Sequence, residues 1–421
     1  LLERKQLTCG TTWHAAGLVG QLRATRNLTE LAKYTAGLYS SLEAETGQAT
    51  GFKQNGSVSV AKTEARFEEL KRGMSMGKCF GLEVDLLTPS DIKSKWPLLD
   101  LTDVVGGIFL PKDGQTNPID VTQALAKGAK QRGAKIYENT KVVKILVENG
   151  RAVGVETADG TIRADTVVLC GGMWSHGLAA EVGVAVPLHA AEHFYIVTEP
   201  MEGVPANLPV LRIPDECAYY KEDAGKILMG CFEPVAKPWG MKGIPEEFCF
   251  DSLPEDYDHF EPIMNMAIKR MPKLADAGIQ LFFNGPESFT PDDRYYMGET
   301  PEVKGLWSCA AVWIKEGPGT GRAVAEWMVR GWSDIDIHAS NIARFYEHQK
   351  SRKHVKARVS ESFQKTYGIV HPAEQYMSNR NVRLSPYYKR EAELGAVFYE
   401  TAGWERPFWY ESNKPLLDKF G

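Results

Sequence analysis

The sequence predicts an α/β fold in which a domain of helices and mostly parallel strands is interrupted by an antiparallel sheet. Three stretches of the 421 residues predict it. Over 118–172 a helical pattern gives way to a strand, a hairpin and a strand running into Gly171-Gly172. Over 186–285 short β-rich runs follow one another, the pattern of an antiparallel sheet. Over 305–330 the apolar run "LWSCAAVWI" leads through a glycine loop, "KEGPGTG", into the helical pattern "RAVAEWMVRG". A chain that leaves a helix-and-strand domain and returns to it accounts for all three.

Taken in order, "LLE" at residues 1–3 reads as the end of a buried strand with Glu3 at its tip. Residues 27–47 carry Leu28, Leu31, Tyr34, Leu38 and Leu42 at helical spacing, with Asn27 as the cap. "GSVSVAK" alternates Val58 and Val60 as a half-buried strand does. Residues 63–80 are helical again, with Phe67, Leu70 and Met74 inward. "DG" at 113–114 and "NP" at 117–118 are turn signals before a helix from Ile119 to Arg132, closed by Gly133. Three strands follow, "AKIYENTKVVKILV", "AVGVETA" and "IRADTVVLC". The inserted sheet is read from "HAAEHFYIVTE", "LPVLRI", "CAYYKED" and "KILMGCF", all taken as antiparallel. Beyond about 335 the chain turns basic and rich in Arg and Tyr, which marks a separate linking segment.

Bulk properties exclude several classes. Hydrophobic content of 43% and charged content of 24% are those of an ordinary globular chain. A net charge of −5 offers no basic field for nucleic acid. No apolar run reaches the roughly 20 residues that span a bilayer. Seven cysteines stand singly and without C-x-x-C spacing, which argues against a disulfide framework or zinc site and for a reducing compartment. Cytoplasm in a bacterium or mitochondrial matrix in a eukaryote fits; secretion does not.

Two glycine loops follow apolar strands, "VVLCGGMW" and "AAVWIKEGPGTGRA". Glycine there lets backbone N–H groups approach a phosphate or a ring edge, and the next helix adds its positive end. With the strand-end acid Glu3 placed to accept from a ribose, the pair suggests a dinucleotide site. The G-x-G-x-x-G turn that belongs about 20 residues earlier would lie before Leu1. Between these features stands "TCGTTWHAAGL", a polar loop with a Trp-His pair flanked by small residues.

That loop resembles the flavin-attachment region of the sarcosine and dimethylglycine dehydrogenase family, within the D-amino-acid-oxidase-like flavoproteins. "LEAETGQATGFKQNGSVSVA", "PKDGQTNP", "CGGMWS", "NGPESFTPD" and "RLSPYYKREAELGAVFYETAGWERPFWYESN" extend the resemblance over essentially the whole chain. It implies an FAD-binding Rossmann-like domain with an inserted antiparallel-sheet substrate domain. Residues 1–335 would form the oxidoreductase domain, with FAD-binding parts at about 1–50, 113–185 and 286–335 and substrate-binding parts at about 51–112 and 186–285. Residues 336–421 would link to a folate-binding, aminomethyltransferase-like domain that carries tetrahydrofolate.

The resemblance also implies roles. His14 would bond covalently to the flavin 8α-methyl, chemistry open to a neutral imidazole attacking an electrophilic methylene, with Thr12 and Trp13 beside the ring. Glu3 would hold the ribose, Val142 or Val143 the adenine, and Gly171, Gly172 and Trp174 the pyrophosphate. Val312, Trp313, Lys315, Gly317 and Gly319 would pass the pyrimidine edge. His193 and Tyr219 would face the substrate amine, His193 accepting its proton and Tyr219 orienting it. Lys315 and Arg212 are the candidate cations for a substrate carboxylate. Trp404, Glu405 and Arg406 form a packing turn. The expected activity is oxidative demethylation of sarcosine or dimethylglycine, with oxygen or an electron-transfer flavoprotein as acceptor. Two other readings stay open: a flavoprotein acting on another secondary or tertiary amine, and a non-catalytic remnant without flavin.

Overall fold

The computed structural model describes residues 1–369, 371 and 373–420. Its centre is a nine-stranded sheet whose strands come from two separate stretches of chain. Across it lie Ile279–Phe289, His189–Thr198, Lys226–Cys231, Ala218–Asp223, Val210–Ile213, Ser57–Ala61, Gly106–Leu110 and Asp85–Leu87, with the short Pro238–Trp239 also on His189–Thr198. Neighbours are antiparallel except at Val210–Ile213, which runs parallel to Ser57–Ala61. The strands of the insert pair antiparallel among themselves, as the sequence predicts, and the one parallel pairing joins the insert to the earlier segment.

Period-2 alternation assigns the two faces of this sheet. Phe194, Ile196, Leu211, Ile213, Tyr220, Ile227 and Met229 are buried in the largest apolar core, under the helix Tyr257–Arg270. Their neighbours in sequence, His193, Tyr195, Arg212 and Tyr219, therefore turn to the opposite face.

The nucleotide-type part is built from short parallel pairings. Val167–Leu169 runs parallel to Leu306–Ala310, which also pairs with Tyr296–Glu299. Residues 1–3 are expected to end a buried strand, but Leu2 makes only an isolated parallel bridge to Tyr137 and Leu1 is exposed. Helix Arg26–Thr46 packs on both Pro118–Gln131 and Gly317–Arg330, and the last of these lies beside the strands Tyr296–Glu299 and Leu306–Ala310. The first is capped by Thr25, whose side chain accepts the Leu28 N–H, and not by Asn27. A threonine two residues upstream outcompetes it because its extended backbone precedes the first helical turn.

Three further expectations are corrected. "IRADTVVLC" breaks into Gly160–Arg163, which closes a three-stranded antiparallel sheet, and Val167–Leu169 in the parallel pairing. The strand "LWSCAAVWI" ends at Ala310, and Ala311 takes a positive φ of 56°. The glycines of "KEGPGTG" are not a loop but the first turns of the helix Gly317–Arg330. Gly319 is required there by packing: a Cβ would sit 2.1 Å from the Leu31 carbonyl oxygen of the neighbouring helix.

After residue 335 the helix Arg352–Lys365 packs on the strands His189–Thr198 and Ile279–Phe289. A small sheet of Arg383–Leu384, Trp404–Tyr410 and Ala396–Thr401 follows, and after it the short helix Lys414–Phe420. No helix among the described residues is long and apolar enough to cross a membrane.

Candidate active site

The register of the large sheet builds the site. Arg212 pairs with Tyr219, Tyr219 with Gly230, Gly230 with Tyr195, and Tyr195 with Phe283. Cross-strand partners share a face, so these five form one row on the side away from the main core. His193 pairs with Gly285 in the next row, two residues along.

Two glycines shape this surface. At Gly230 a Cβ would lie 2.2 Å from the Tyr219 hydroxyl, so only glycine lets the Tyr219 ring lie across its neighbour strand. Tyr219 thereby reaches His193, with Nε2 and the hydroxyl 2.7 Å apart and the rings stacked at 5.9 Å. At Gly285 a Cβ would lie 3.2 Å from His14 Cε1, so glycine also admits the N-terminal loop to the sheet. His14 packs 4.8 Å from Phe283 and 5.4 Å from Trp13. The fold thus brings His14, Trp13, His193 and Tyr219, far apart in sequence, onto one face.

Both histidines are neutral. Burial pushes His14 down to about 4 and His193 down to about 3, the latter helped by His14. His14 Nε2, His193 Nδ1 and Trp13 Nε1 are buried without hydrogen-bond partners. Burial lifts the Tyr219 phenol well above its usual range, so it remains a hydroxyl.

The turn after Ala310 closes the other side. Lys315 lies with its ammonium 4.2 Å from the Trp313 ring centre. Burial, then Arg23, pushes it down to about 7. Glu287, on the strand that carries Phe283 and Gly285, sits 4.0 Å from His193 Nδ1 and is raised to about 7 by burial. Burial likewise raises Asp293 to about 7. Arg23 stands 2.9 Å from the fully buried Glu316, although neither Glu316 oxygen accepts an aligned hydrogen bond. Arg212 faces Asp113 and Tyr367, and burial lifts the Tyr367 phenol to about 12. Glu287 and Lys315 keep partial exposure despite this crowding.

Other expected cofactor positions fall out as follows. Glu3 Oε1 accepts the Lys5 N–H at 3.0 Å, and the Glu3 carbonyl accepts from Thr140 at 2.8 Å. Thr12 accepts the Ala15 N–H through its carbonyl, within the turn that sets His14. Gly172 has a φ of 52° and opens the turn Gly172–Trp174. Trp174 lies against Gly10 with the Arg4 guanidinium 4.7 Å from its ring centre, which ties this turn to the His14 loop. Val142 and Val143 belong to the separate three-stranded sheet, with Val143 exposed at a register shift. Val312 packs into the small core between Leu31 and Trp307. Gly317 is open, but the Gly319 N–H donates to Thr35 and its face is filled by Leu31. Gly319 is therefore a helix-packing residue and not a cofactor contact.

Sequence reasoning missed Glu287, Asp293, Arg23, Glu316 and the aromatic wall of Tyr195, Phe232 and Phe283. Gly230 and Gly285, isolated inside strand patterns, were the available signal of a close approach. Two surface recesses lie apart from this cluster, one of about 330 Å³ between Trp174, Trp239 and Arg352, the other of about 600 Å³ between Tyr34, Arg322 and Asp334.

Known proteins resemble this chain over nearly its whole length. The chain is 41% identical to 4-methylaminobutanoate oxidase (formaldehyde-forming) of Paenarthrobacter nicotinovorans, over 97% of this chain and 50% of that protein. It is 37% identical to human mitochondrial sarcosine dehydrogenase, over 99% and 46%. It is 36% identical to the mouse mitochondrial pyruvate dehydrogenase phosphatase regulatory subunit, over 99% and 48%. The chain thus spans about half the length of these relatives. Among solved structures, L-proline dehydrogenase from P. horikoshii has the same fold, with a TM-score of 0.72 at 24% identity over 81% of this chain and 89% of that one. A model described as FAD dependent oxidoreductase central domain matches residues 330–385. The model described as FAD dependent oxidoreductase matches residues 1–327, and on that span the chain belongs to the FAD dependent oxidoreductase family.

Proposed function

We propose that this chain is the flavin part of an enzyme that oxidises the N-methyl group of an amino acid, with FAD bonded through His14. The observation that carries it is the meeting of His14 with the His193–Tyr219 pair on one sheet face. The residues fit the cofactor. His14 offers a buried, neutral imidazole nitrogen with no hydrogen-bond partner, the state a nitrogen needs to bond carbon. Glu3 would take the ribose, Gly171, Gly172 and Trp174 the pyrophosphate, Val142 or Val143 the adenine, and the turn Val312–Gly317 the flavin edge. FAD, when bound, supplies the hydride acceptor.

The chain's own residues do the rest. Tyr219, held by His193 at 2.7 Å, orients the amine through its hydroxyl. The aromatic wall excludes water from the methyl group. Arg212 and Lys315 offer positive charge to the substrate carboxylate. The enclosing sheet, which takes strands from 51–112 and 186–289, would be the substrate-binding unit; residues 336–421 would lead toward a tetrahydrofolate-binding domain, and the oxidised product would otherwise hydrolyse to formaldehyde.

Sarcosine and dimethylglycine are the leading substrates. The 41% identity to an oxidase named for 4-methylaminobutanoate favours a longer N-methylamino acid as the second reading. Anaerobic addition of each compound to the flavoprotein distinguishes them, because the true substrate bleaches the flavin fastest. A protein whose acid-precipitated pellet is colourless has no covalent flavin. One that no N-methyl amino acid bleaches does not have this activity, and the kinship to a regulatory subunit then gains weight.

A further inference from the structure

Building on the amine-oxidation reading, we propose that Glu287, and not His193, accepts the proton of the substrate ammonium. The step is a plain proton transfer. The ammonium N–H bond breaks, its electron pair stays on nitrogen, and a new O–H bond forms on the Glu287 carboxylate. The amine is left neutral, as hydride loss from the adjacent methyl requires.

Geometry makes the assignment. Glu287 lies two residues beyond Gly285 on the strand that faces His14, and alternation places it on the same side of the sheet. Its carboxylate is 4.0 Å from His193 Nδ1, with side-chain exposure of 28% against 11% for the imidazole. It is therefore the more accessible of the two to a ligand. His193 already spends Nε2 on Tyr219, and Nδ1 is sealed from solvent. Electrostatics agrees. Burial leaves His193 down at about 3, a poor proton acceptor at neutral pH, while Glu287 at about 7 is poised to take and return one. The charged and titratable groups facing Glu287 are Lys315 and Asp293 from the adjoining turns, His193 from the next strand and Tyr219 beyond it.

Two measurements on the holoenzyme test this. In the first, kcat/KM for the best N-methyl amino acid is followed from pH 5.5 to 10. The unaltered enzyme should show an acid limb breaking near 7. In Glu287→Gln that break should vanish, and the rate should climb about tenfold per pH unit toward the amine's own ionisation. An unchanged break near 7 in that variant overturns the proposal. In the second, calorimetry follows binding of trimethylammonio acetate, whose quaternary ammonium stays charged at every pH and has no N–H to give. Its affinity should rise about tenfold between pH 6 and 8 as the carboxylate ionises, and should be flat in Glu287→Gln. Lys315 titrates in the same window, and its loss of charge weakens its hold on the ligand's carboxylate while relieving repulsion of the ammonium, so Lys315→Met is the discriminating control. A pH step that survives in Glu287→Gln and disappears in Lys315→Met assigns it to the lysine and overturns the proposal. An unaltered enzyme that oxidises no N-methyl amine refutes the underlying reading instead, and that result needs no variant.

Discussion

Two regions of this molecule bury charge, and they do so in opposite ways. Around the small C-terminal sheet every buried carboxylate is answered. Glu405 accepts from Arg380 Nε at 2.9 Å and from the Asn381 N–H at 2.7 Å. The two oxygens of Glu361 accept the Met377 and Ser378 N–H groups at 2.7 and 2.8 Å. Glu400 pairs with Arg358. Burial works to raise all three, but the donors outweigh it and hold each carboxylate below its usual range. On the sheet face beside His14 the balance is reversed. Glu287 and Asp293 rise to about 7, Lys315 falls to about 7, and His14 and His193 each keep an unpartnered ring nitrogen. The first arrangement uses charge to hold backbone; the second leaves proton and hydrogen-bonding capacity unspent. Buried polar groups that lack partners cost stability, and a ligand is the natural recipient of what they lack.

That contrast is open to direct attack. The largest effect belongs to the site. Tyr219→Phe should lower kcat/KM for the N-methyl substrate by roughly 10²-fold, the scale of losing a group that orients the reacting amine. The melting temperature should fall by only a few degrees, since the change removes one hydrogen bond to a buried, neutral histidine. A variant with wild-type kinetics would erase the distinction. The converse change is Glu405→Ala, which strands Arg380 without its partner; it should cost about 3–5 kcal/mol in denaturant titration, as loss of one member of a buried pair does. Flavin reduction per folded molecule should be unchanged. Glu361→Gln is milder. It keeps the shape but offers an NH₂ where one backbone N–H needs an acceptor, for a loss of about 1–3 kcal/mol. Equal stability in that variant would show that its carboxylate is not holding residues 377 and 378.

The two regions were unequally legible in the sequence. Period-2 patterns located most strands of the large sheet, and the glycine after "VVLC" marked a real turn at Gly172. What pattern could not show is which strands are neighbours. Glu287 acquires meaning only because Ile279–Phe289 lies beside His189–Thr198, a pairing between segments about 90 residues apart. Arg23 and Glu316 meet across an even longer span. The glycines of "KEGPGTG" misled because glycine serves a close helix crossing as well as a ligand loop, and Gly319 does the former. Trp404, Glu405 and Arg406, expected as a packing turn, open the strand Trp404–Tyr410, and their partner Arg380 lies outside that stretch, so the ion pair that anchors Glu405 was invisible.

The smallest effect is the most diagnostic, because the two regions should depend on pH in separate windows. Glu287 and Asp293 have folded values near 7, above the roughly 4 of an unfolded carboxylate. Their contribution to stability is complete at low pH and is lost as pH rises through 7. Lys315 has a folded value near 7, below the roughly 10.4 of an unfolded lysine. Its contribution is complete at high pH and is lost as pH falls toward 7. The site should therefore depress stability most around neutrality. Glu361, Glu400 and Glu405 have lowered values, so what they contribute is present above the usual carboxylate range and lost only in acid. Melting temperature measured from pH 5 to 9 separates these origins. Glu287→Gln should flatten the decline between 5 and 7, and Lys315→Met should flatten the recovery above 7. Glu405→Ala should lower the whole curve without changing its shape over that range. If Glu287→Gln and the unaltered protein instead show parallel curves from 5 to 7, Glu287 is already ionised in the folded state, and the site holds its charges as firmly as the C-terminal sheet does.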